Sequence, residues 1–153
     1  MEILRRMTCS PSVVSYNTVI NAVAKAGGRS AGKEALNLLQ EMRDRGVHPD
    51  TITFNSVLNA LACGKGEHVK TAIRLQESMS KEGVPPTDVT FNSLLAACGP
   101  HTEAADGVLK AMKEAGLQPS LRTYNLMLGC CKDAGKICSY HVPVSHCQCV
   151  DIT

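Results

Sequence analysis

The sequence contains no tryptophan and few other aromatic residues, and this deficit narrows the fold class. Aromatic residues make up 3% of the 153 positions, whereas hydrophobic residues make up 44% and are mainly Ala, Val, Leu, Ile and Met. The strands of sandwiches and barrels are enriched in β-branched and aromatic side chains, whereas small aliphatic residues suit closely packed helices. The composition therefore favours an all-α fold.

The sequence also lacks the patterns of membrane helices and of familiar catalytic sites. No stretch approaches the roughly 18 consecutive apolar residues of a membrane-spanning helix, so we expect no membrane segment. It contains no glycine-rich phosphate loop, nucleophile elbow or Cys-x-x-Cys pair, so we expect no catalytic activity. The formal net charge of +2 permits a nucleic-acid partner without requiring one.

What the sequence does contain is an internal repeat. An aromatic residue followed by asparagine occurs at positions 16, 54, 91 and 124, at intervals of 38, 37 and 33 residues. Each aromatic follows a proline by five residues, and the last three of these prolines end the pattern Met-x-x-x-Gly-x-x-Pro. A period close to 35 residues is typical of a solenoid built from stacked units.

The apolar residues within each unit have helical spacing. Val57, Leu58 and Leu61 follow Phe54 by three, four and seven residues, and the other units repeat this stripe, with Leu128 in the fourth. A second apolar stripe precedes each glycine. We therefore predict an α-solenoid of stacked helical hairpins. The expected helix breaks lie near residues 27–32, 46–50, 64–66, 83–88 and 116–121, and the expected N-caps are Asp50, Asp88 and Ser120.

The repeat divides the chain into six segments. We assign the end of a preceding repeat to 1–12, three complete repeats to 13–50, 51–87 and 88–120, a partial fourth repeat to 121–135, and an irregular tail to 136–153. The tail contains five residues of the types that bind zinc. Its Cys147 and Cys149 are spaced too closely to suit a tetrahedral site, so we predict no metal and no other cofactor. These five residues are Cys138, His141, His146, Cys147 and Cys149.

The unit "VVSYNTVINAVAKAG…EALNLLQEMRDRGVHPD" resembles a pentatricopeptide repeat, and the similarity extends over roughly residues 13–135. Tetratricopeptide repeats have a similar length, but their first helix carries a tryptophan and a Gly-x-x-Tyr pattern. The resemblance implies a right-handed superhelix and single-stranded RNA as the partner. It also implies possible protein partners in an organellar RNA complex, and localisation in the mitochondrion or chloroplast.

The asparagine after each aromatic is the candidate contact to RNA. These residues lie one position off the apolar stripe, so we expect them to face away from the core. A carboxamide offers donors and an acceptor to a Watson–Crick edge, and one per hairpin would address one base per repeat. The alternative is that each carboxamide bonds to backbone in the first helical turn. The four residues are Asn17, Asn55, Asn92 and Asn125.

The resemblance further implies that two residues in each repeat read one base. Asn17 with Asp50 implies uracil, Asn55 with Thr87 a pyrimidine, and Asn92 with Ser120 cytosine. The aliphatic residues two positions before the aromatics would sandwich the bases, and an arginine takes this place in the fourth unit. The substitution Asn17→Thr is expected to shift the preference to guanine with little effect on stability. The sandwiching residues are Val14, Ile52 and Val89, and the arginine is Arg122.

Two other functions remain compatible with the sequence. A helical solenoid can hold a peptide on its concave face, and a repeat segment can accompany an enzymatic domain in a longer protein. Periodic asparagine with lysine or arginine on the concave surface favours RNA, whereas an apolar or aromatic groove favours a peptide.

Overall fold

A computed structural model of the chain describes residues 11–64 and 66–135. These residues form seven helices and no strands, which confirms the predicted all-α class. The first helices of the four repeats are α1 (Val13–Ala26), α3 (Thr51–Ala62), α5 (Asp88–Cys98) and α7 (Leu121–Asp133). The second helices of the first three repeats are α2 (Ala31–Asp44), α4 (Val69–Lys81) and α6 (Thr102–Glu114).

The first helices begin at side-chain caps. Asp50 and Ser120 accept a hydrogen bond from the backbone N–H three residues later and start α3 and α7, as predicted. The predicted cap Asp88 is wrong, because the Thr87 hydroxyl performs this role and accepts from Thr90 N–H. Asp88 is instead the first residue of α5, where its carboxylate lies near the positive end of the helix dipole.

The Met-x-x-x-Gly pattern ends the second helices. At the end of α2, Val47 N–H donates to Met42 C=O at 3.0 Å and Gly46 N–H donates to Arg43 C=O at 2.9 Å. This is a Schellman motif, which needs a residue in the left-handed region, and Gly46 has a φ of 71°. The same bonds end α4 and α6, so a local backbone requirement explains this landmark of the repeat.

The helices stack as successive hairpins. Each first helix packs on the first helix of the next repeat, so α1, α3, α5 and α7 form one continuous layer. The second helices pack against the first helices of their own and the following repeat. Tyr16, Phe54 and Phe91 are fully buried in the core. Within the described residues, no helix is both long and apolar enough to cross a membrane.

The turns differ from the prediction in two places. The first break spans 27–30, and Gly32 is a buried residue of α2. A Cβ at Gly32 would lie 3.0 Å from Leu61 Cδ2 and 3.2 Å from His68 Cδ2, so close packing with the second repeat accounts for this glycine. A further break at 99–101, between α5 and α6, was not predicted.

The fourth unit differs from the others in burial. Leu128 is 45% exposed, although Leu58 and Leu95 at the equivalent positions are fully buried. The predicted burial of Leu128 is therefore wrong. The helices α3 and α5 pack against their own second helices, whereas no second helix follows α7 in the described part of the chain. The expectations for residues 1–10 and 136–153, including a metal-free tail, lie outside the described residues.

Candidate nucleic-acid interface

An aliphatic side chain and an asparagine side chain occupy equivalent positions at the start of α1, α3 and α5. An aliphatic residue at the second helical position is exposed by 72% at Val14, 62% at Ile52 and 50% at Val89. An asparagine follows three residues later. We call these six residues the first-turn row: Val14, Asn17, Ile52, Asn55, Val89 and Asn92.

Asn17 contacts the cap of the following repeat. Its Nδ2 donates to Asp50 Oδ1 at 3.1 Å, and the Thr53 hydroxyl donates to Asn17 Oδ1 at 2.6 Å. Thr53 also accepts from Asp50 N–H at 3.2 Å and so completes the capping box of α3. The structure thus brings Asn17 and Asp50 together at the boundary between the first and second repeats.

Hydrogen-bond chemistry fixes the orientation of the Asn17 amide. An ionised carboxylate only accepts hydrogen bonds, so the amide nitrogen must face Asp50. The amide oxygen then faces Thr53, whose single hydroxyl proton is shared between this oxygen at 2.6 Å and Asp50 Oδ1 at 2.8 Å. Both ends of the Asn17 side chain are therefore held within the protein.

The same contact to threonine recurs at the next two boundaries. Thr90 donates to Asn55 Oδ1 at 2.8 Å, and Thr123 donates to Asn92 Oδ1 at 2.9 Å. The caps Thr87 and Ser120 make no hydrogen bond to these asparagines within residues 11–64 and 66–135. Each cap instead lies beside the threonine, with hydroxyl oxygens 3.1 Å and 3.2 Å apart.

These contacts correct the predicted environment of the asparagines. Asn92 is only 7% exposed, so the expectation that it faces away from the core is wrong. The bonds go to side chains of the next repeat, and not to backbone in the same turn. Asn17→Thr would remove the hydrogen bonds to Asp50 and Thr53, so its small expected effect on stability is also revised. Asn125, in the fourth unit, is exposed.

The environment of Asp50 favours its ionised form. Burial raises the pKa of the carboxyl, but hydrogen bonds from the Thr53 N–H and hydroxyl outweigh it, helped by Asn17 and the Ile52 N–H. The net pKa lies below the usual value of 3.8. Asp50 therefore carries a negative charge beside the Asn17 amide at neutral pH, whereas Thr87 and Ser120 carry none.

Sequence reasoning missed the three threonines that bind the asparagines. Thr53, Thr90 and Thr123 are fully buried, although their hydroxyls are polar. A signal was present, because threonine precedes the aromatic in each of the last three units and follows the cap by three residues. That spacing matches a capping box, which leaves the hydroxyl proton to be donated elsewhere.

No metal site accompanies this interface within the part of the chain that the structure describes. No group of three His, Cys, Asp or Glu side chains there is arranged to hold a metal ion.

Comparisons with known proteins match two segments of the chain, and the first of them includes the row residues of the first two repeats. A family model described as the PPR repeat family matches residues 11–63, and one described as the pentatricopeptide repeat domain matches residues 100–134. The chain is 52% identical over 48 residues to the pentatricopeptide repeat-containing protein At1g14470 of Arabidopsis thaliana. It is 41% identical over 61 residues to the mitochondrial pentatricopeptide repeat-containing protein At1g62260 of the same plant.

These alignments span 31% and 40% of the present chain. They span only 8% and 9% of the two relatives, so the chain corresponds to a small part of each.

Proposed function

Because the chain belongs to the pentatricopeptide repeat family, we propose that it binds single-stranded RNA through the first-turn row, one base per repeat. Proteins of this family are generally RNA-binding proteins of organelles. The three complete units would take Asn17 with Asp50, Asn55 with Thr87, and Asn92 with Ser120 as base-reading pairs. The sequence of bases would be rich in pyrimidines.

One observation carries this proposal most directly. At every boundary a threonine hydroxyl donates to the asparagine oxygen, so at the second and third boundaries the amide nitrogen is the atom that remains to meet a base. The nitrogens of Asn55 and Asn92 have no hydrogen-bond partner among the described residues. A nitrogen donor suits a base that presents an acceptor, and the carbonyl oxygens of uracil and cytosine are such acceptors.

The surface around the row offers apolar faces for bases and buries its aromatic residues. The aliphatic side chains of Val14, Ile52 and Val89 are exposed beside the asparagines, and they offer apolar faces on which bases can pack. The aromatic residues Phe54 and Phe91 are buried beneath the row and so offer no aromatic groove to a peptide. A protein–protein scaffold remains the competing function, and the binding experiment below separates the two.

The cellular role follows from the family. We propose that the chain is a non-catalytic RNA-binding part of a larger protein that acts in RNA processing, stability, editing or translation in a mitochondrion or chloroplast. Protein partners in such a complex would contact surfaces other than the row.

Binding by these few repeats is expected to be weak. Stacking contributes about 1–3 kcal/mol per base, so three bases give a gross gain of about 3–9 kcal/mol. Association costs about 4–15 kcal/mol, which is comparable to that gain or larger. We therefore expect dissociation constants well above the nanomolar range.

The proposal is tested by NMR titration of the 153-residue chain with trinucleotides of uridine or adenosine. Uridine should shift the side-chain amide signals of Asn55 and Asn92 and bind more tightly than adenosine. Asn55→Ala should weaken uridine binding about fivefold, the equivalent of a hydrogen bond of about 1 kcal/mol. The matched control is Asn37→Ala, because Asn37 is an exposed asparagine of α2 away from the row.

The titration distinguishes specific reading by the row from non-specific binding and from no binding. Weaker binding by Asn55→Ala with no change for Asn37→Ala supports reading by the row. Equal weakening by both variants contradicts a specific contact. If no NMR signal responds to any RNA, the proposal is wrong and the scaffold function is the better interpretation.

A further inference from the structure

The second helices of neighbouring repeats are joined differently at the first and second boundaries. Arg43 of α2 forms an ion pair with Glu82, directly after α4, and donates a hydrogen bond to Ser78 of α4. At the turn end of the same helices, Arg29 forms a second ion pair with Glu67 at 3.3 Å. No ion pair joins α4 to α6 within residues 66–135. Within these residues the second boundary therefore lacks the charged bridges that close the first.

An open groove runs between α4 and α6 at this second boundary. Its wide end, beside the turns that precede the two helices, has a volume of about 650 Å³, and its narrow part has a volume of about 270 Å³. Ile73 and Ala104 line both parts, so the two volumes belong to one groove. Apolar residues line the narrow part, with the buried Leu94 and Val108 on its floor, except for Gln76. Each wall is a helix of 13 residues, or about 20 Å, so the groove can hold a helix of similar length.

The α6 wall of the groove is built from small residues. Ala104, Gly107 and Ala111 follow one another at intervals of three and four residues, so they lie on one face of α6. Gly107 lies in the middle of the helix, where glycine is less favourable than alanine. A Cβ at Gly107 would meet no atom within 4 Å, so close packing inside the described part of the chain does not explain this glycine. A wall of small residues allows the backbone of another helix to approach closely.

The exposed side of α4 beside this groove is basic. Lys70 lines the wide end, and Arg74, Glu77 and Lys81 are exposed further along the same helix. Three cations and one anion give these four positions a net charge of +2, and none of them forms an ion pair within residues 11–64 and 66–135. Glu103 lines the wide end on the α6 side and is negative. An acidic partner is therefore favoured along α4 and not along α6.

We propose that the groove between α4 and α6 binds an amphipathic helix of a partner protein. The apolar stripe of that helix lies on the groove floor, and its acidic residues lie along α4. An apolar groove about three helical turns long is the usual receptor for such a helix, whereas RNA would find few polar contacts on this floor. The first-turn row is carried by the first helices, so the partner helix and RNA would occupy different layers of the protein.

The probe is a synthetic helical peptide of about 14 residues, or four turns. It carries leucines at i, i+3, i+4 and i+7 and glutamates along one flank of this stripe. A second peptide has lysine in place of each glutamate. In an NMR titration of the 153-residue chain, the acidic peptide should shift the backbone N–H signal of Gly107. It should also bind about tenfold more tightly than the lysine peptide, the equivalent of about 1.4 kcal/mol.

Two pairs of variants locate the contact. Gly107→Gln places a side chain in the groove and should weaken binding of the acidic peptide about tenfold. Gly129→Gln is its matched control, because Gly129 is an exposed glycine within α7 at which a Cβ would also meet no atom within 4 Å. Both substitutions introduce the same better helix former, so both variants should fold. Lys70→Glu should weaken the acidic peptide about fivefold. Lys33→Glu, at the equivalent position of α2, makes the same change in net charge and should have no effect.

Each outcome supports or contradicts the proposal. Weaker binding by Gly107→Gln and Lys70→Glu, with no change in their controls, supports a helix site in the groove. Equal losses for both glycine variants, or equal binding of the two peptides, contradict it. If neither peptide shifts the Gly107 signal, or if a uridine trinucleotide shifts it instead, the proposal is wrong. RNA binding by the row is judged separately, from the Asn55 side-chain amide signal, so either proposal can fail while the other stands.

Discussion

The boundary between the first and second repeats and that between the third and fourth use the same threonine but different caps. At the first boundary Asp50 binds the Asn17 nitrogen at 3.1 Å while Thr53 binds the oxygen. At the third boundary Thr123 binds the Asn92 oxygen at 2.9 Å, and the cap Ser120 lies beside the threonine. The carboxamide is held at both ends in one case and at its oxygen alone in the other.

From this difference we expect separate roles for the two ends of the asparagine side chain. The oxygen is bound at every boundary, so it joins one repeat to the next regardless of the cap. The nitrogen is bound only where the cap is a carboxylate. Stability should therefore depend on the oxygen and its threonine, whereas base preference should depend on the nitrogen and the cap.

The largest expected effect comes from breaking the common contact. Thr123→Val removes a hydroxyl that donates to the buried Asn92 oxygen and accepts from Ser120 N–H. Two polar groups then lose their partner, so the free energy of unfolding should fall by about 1–3 kcal/mol. Urea unfolding followed by circular dichroism measures this loss.

The control for this variant is Thr18→Val. Thr18 is exposed on α1, and its hydroxyl donates only to Val14 C=O one turn earlier in the same helix. Its effect should stay within about 0.5 kcal/mol. Similar losses for both variants would contradict a structural role for the contact between repeats.

A smaller effect is expected from removing the acceptor. Asn92→Ala leaves Thr123 able to donate to the Ser120 hydroxyl, 3.2 Å away, so the loss should be about 1 kcal/mol. Asn125→Ala is the matched variant, because Asn125 is exposed and makes no hydrogen bond within the described residues. Alanine raises helix propensity equally in both variants. Thermal unfolding should place Asn125→Ala at or above the wild type and Asn92→Ala below it.

The third expected effect is a change in base preference when the cap residue is substituted. Asp50→Ser gives the first boundary the cap of the third and keeps a good N-cap, so α3 should still form. The Asn17 nitrogen is then released from the carboxylate. We expect the preference of the first repeat to move from uracil toward cytosine by about fivefold, the equivalent of one hydrogen bond of about 1 kcal/mol.

This change is measured by comparing RNAs that differ only at the base facing the first repeat. The opposite substitution, Ser120→Asp, should move the third repeat toward uracil. An unchanged preference in both variants would show that the cap does not read the base.

The smallest expected effect is a pH dependence confined to the first boundary. The folded-state pKa of Asp50 is depressed below 3.8, so its contribution to stability is fully present above that value. The contribution is lost as the pH falls from 3.8 through the lower pKa of the folded state. The free energy of unfolding of the wild type minus that of Asp50→Thr should therefore be constant above about pH 5. Below pH 3.8 this difference should decrease, because only the wild type loses the contribution of the ionised carboxylate.

Denaturant titrations at a series of pH values check this expectation. The variant Thr87→Ser alters the second boundary without a titrating group, so its difference from the wild type should not depend on pH. A pH-independent difference for Asp50→Thr would contradict the proposed charge at the first boundary.

Local patterns in the sequence predicted the elements whose physical cause is local. The period of 38, 37 and 33 residues, the buried aromatics and the helix ends after Met-x-x-x-Gly all follow from helical spacing and a glycine that adopts a positive φ. The choice between Asp88 and Thr87 as cap was also local. It was mispredicted because both residue types cap helices, and Thr90 three residues after Thr87 decided it.

The errors concern contacts between units. Gly32 looked like a loop residue, but it packs within a helix against Leu61 and His68 of the second repeat. Leu128 continues a regular apolar stripe, yet its burial depends on a second helix that the described residues do not supply. A sequence pattern identifies the face of a helix and does not identify what covers that face.

The sequence by itself determined that this chain is a stack of helical hairpins and which position of each hairpin carries asparagine. The tertiary structure decided which contacts the first three asparagines make, because their threonine partners lie 36, 35 and 31 residues further along the chain. Such a bond forms only when two repeats stack in register. The free amide nitrogen at the second and third boundaries is a consequence of that stacking.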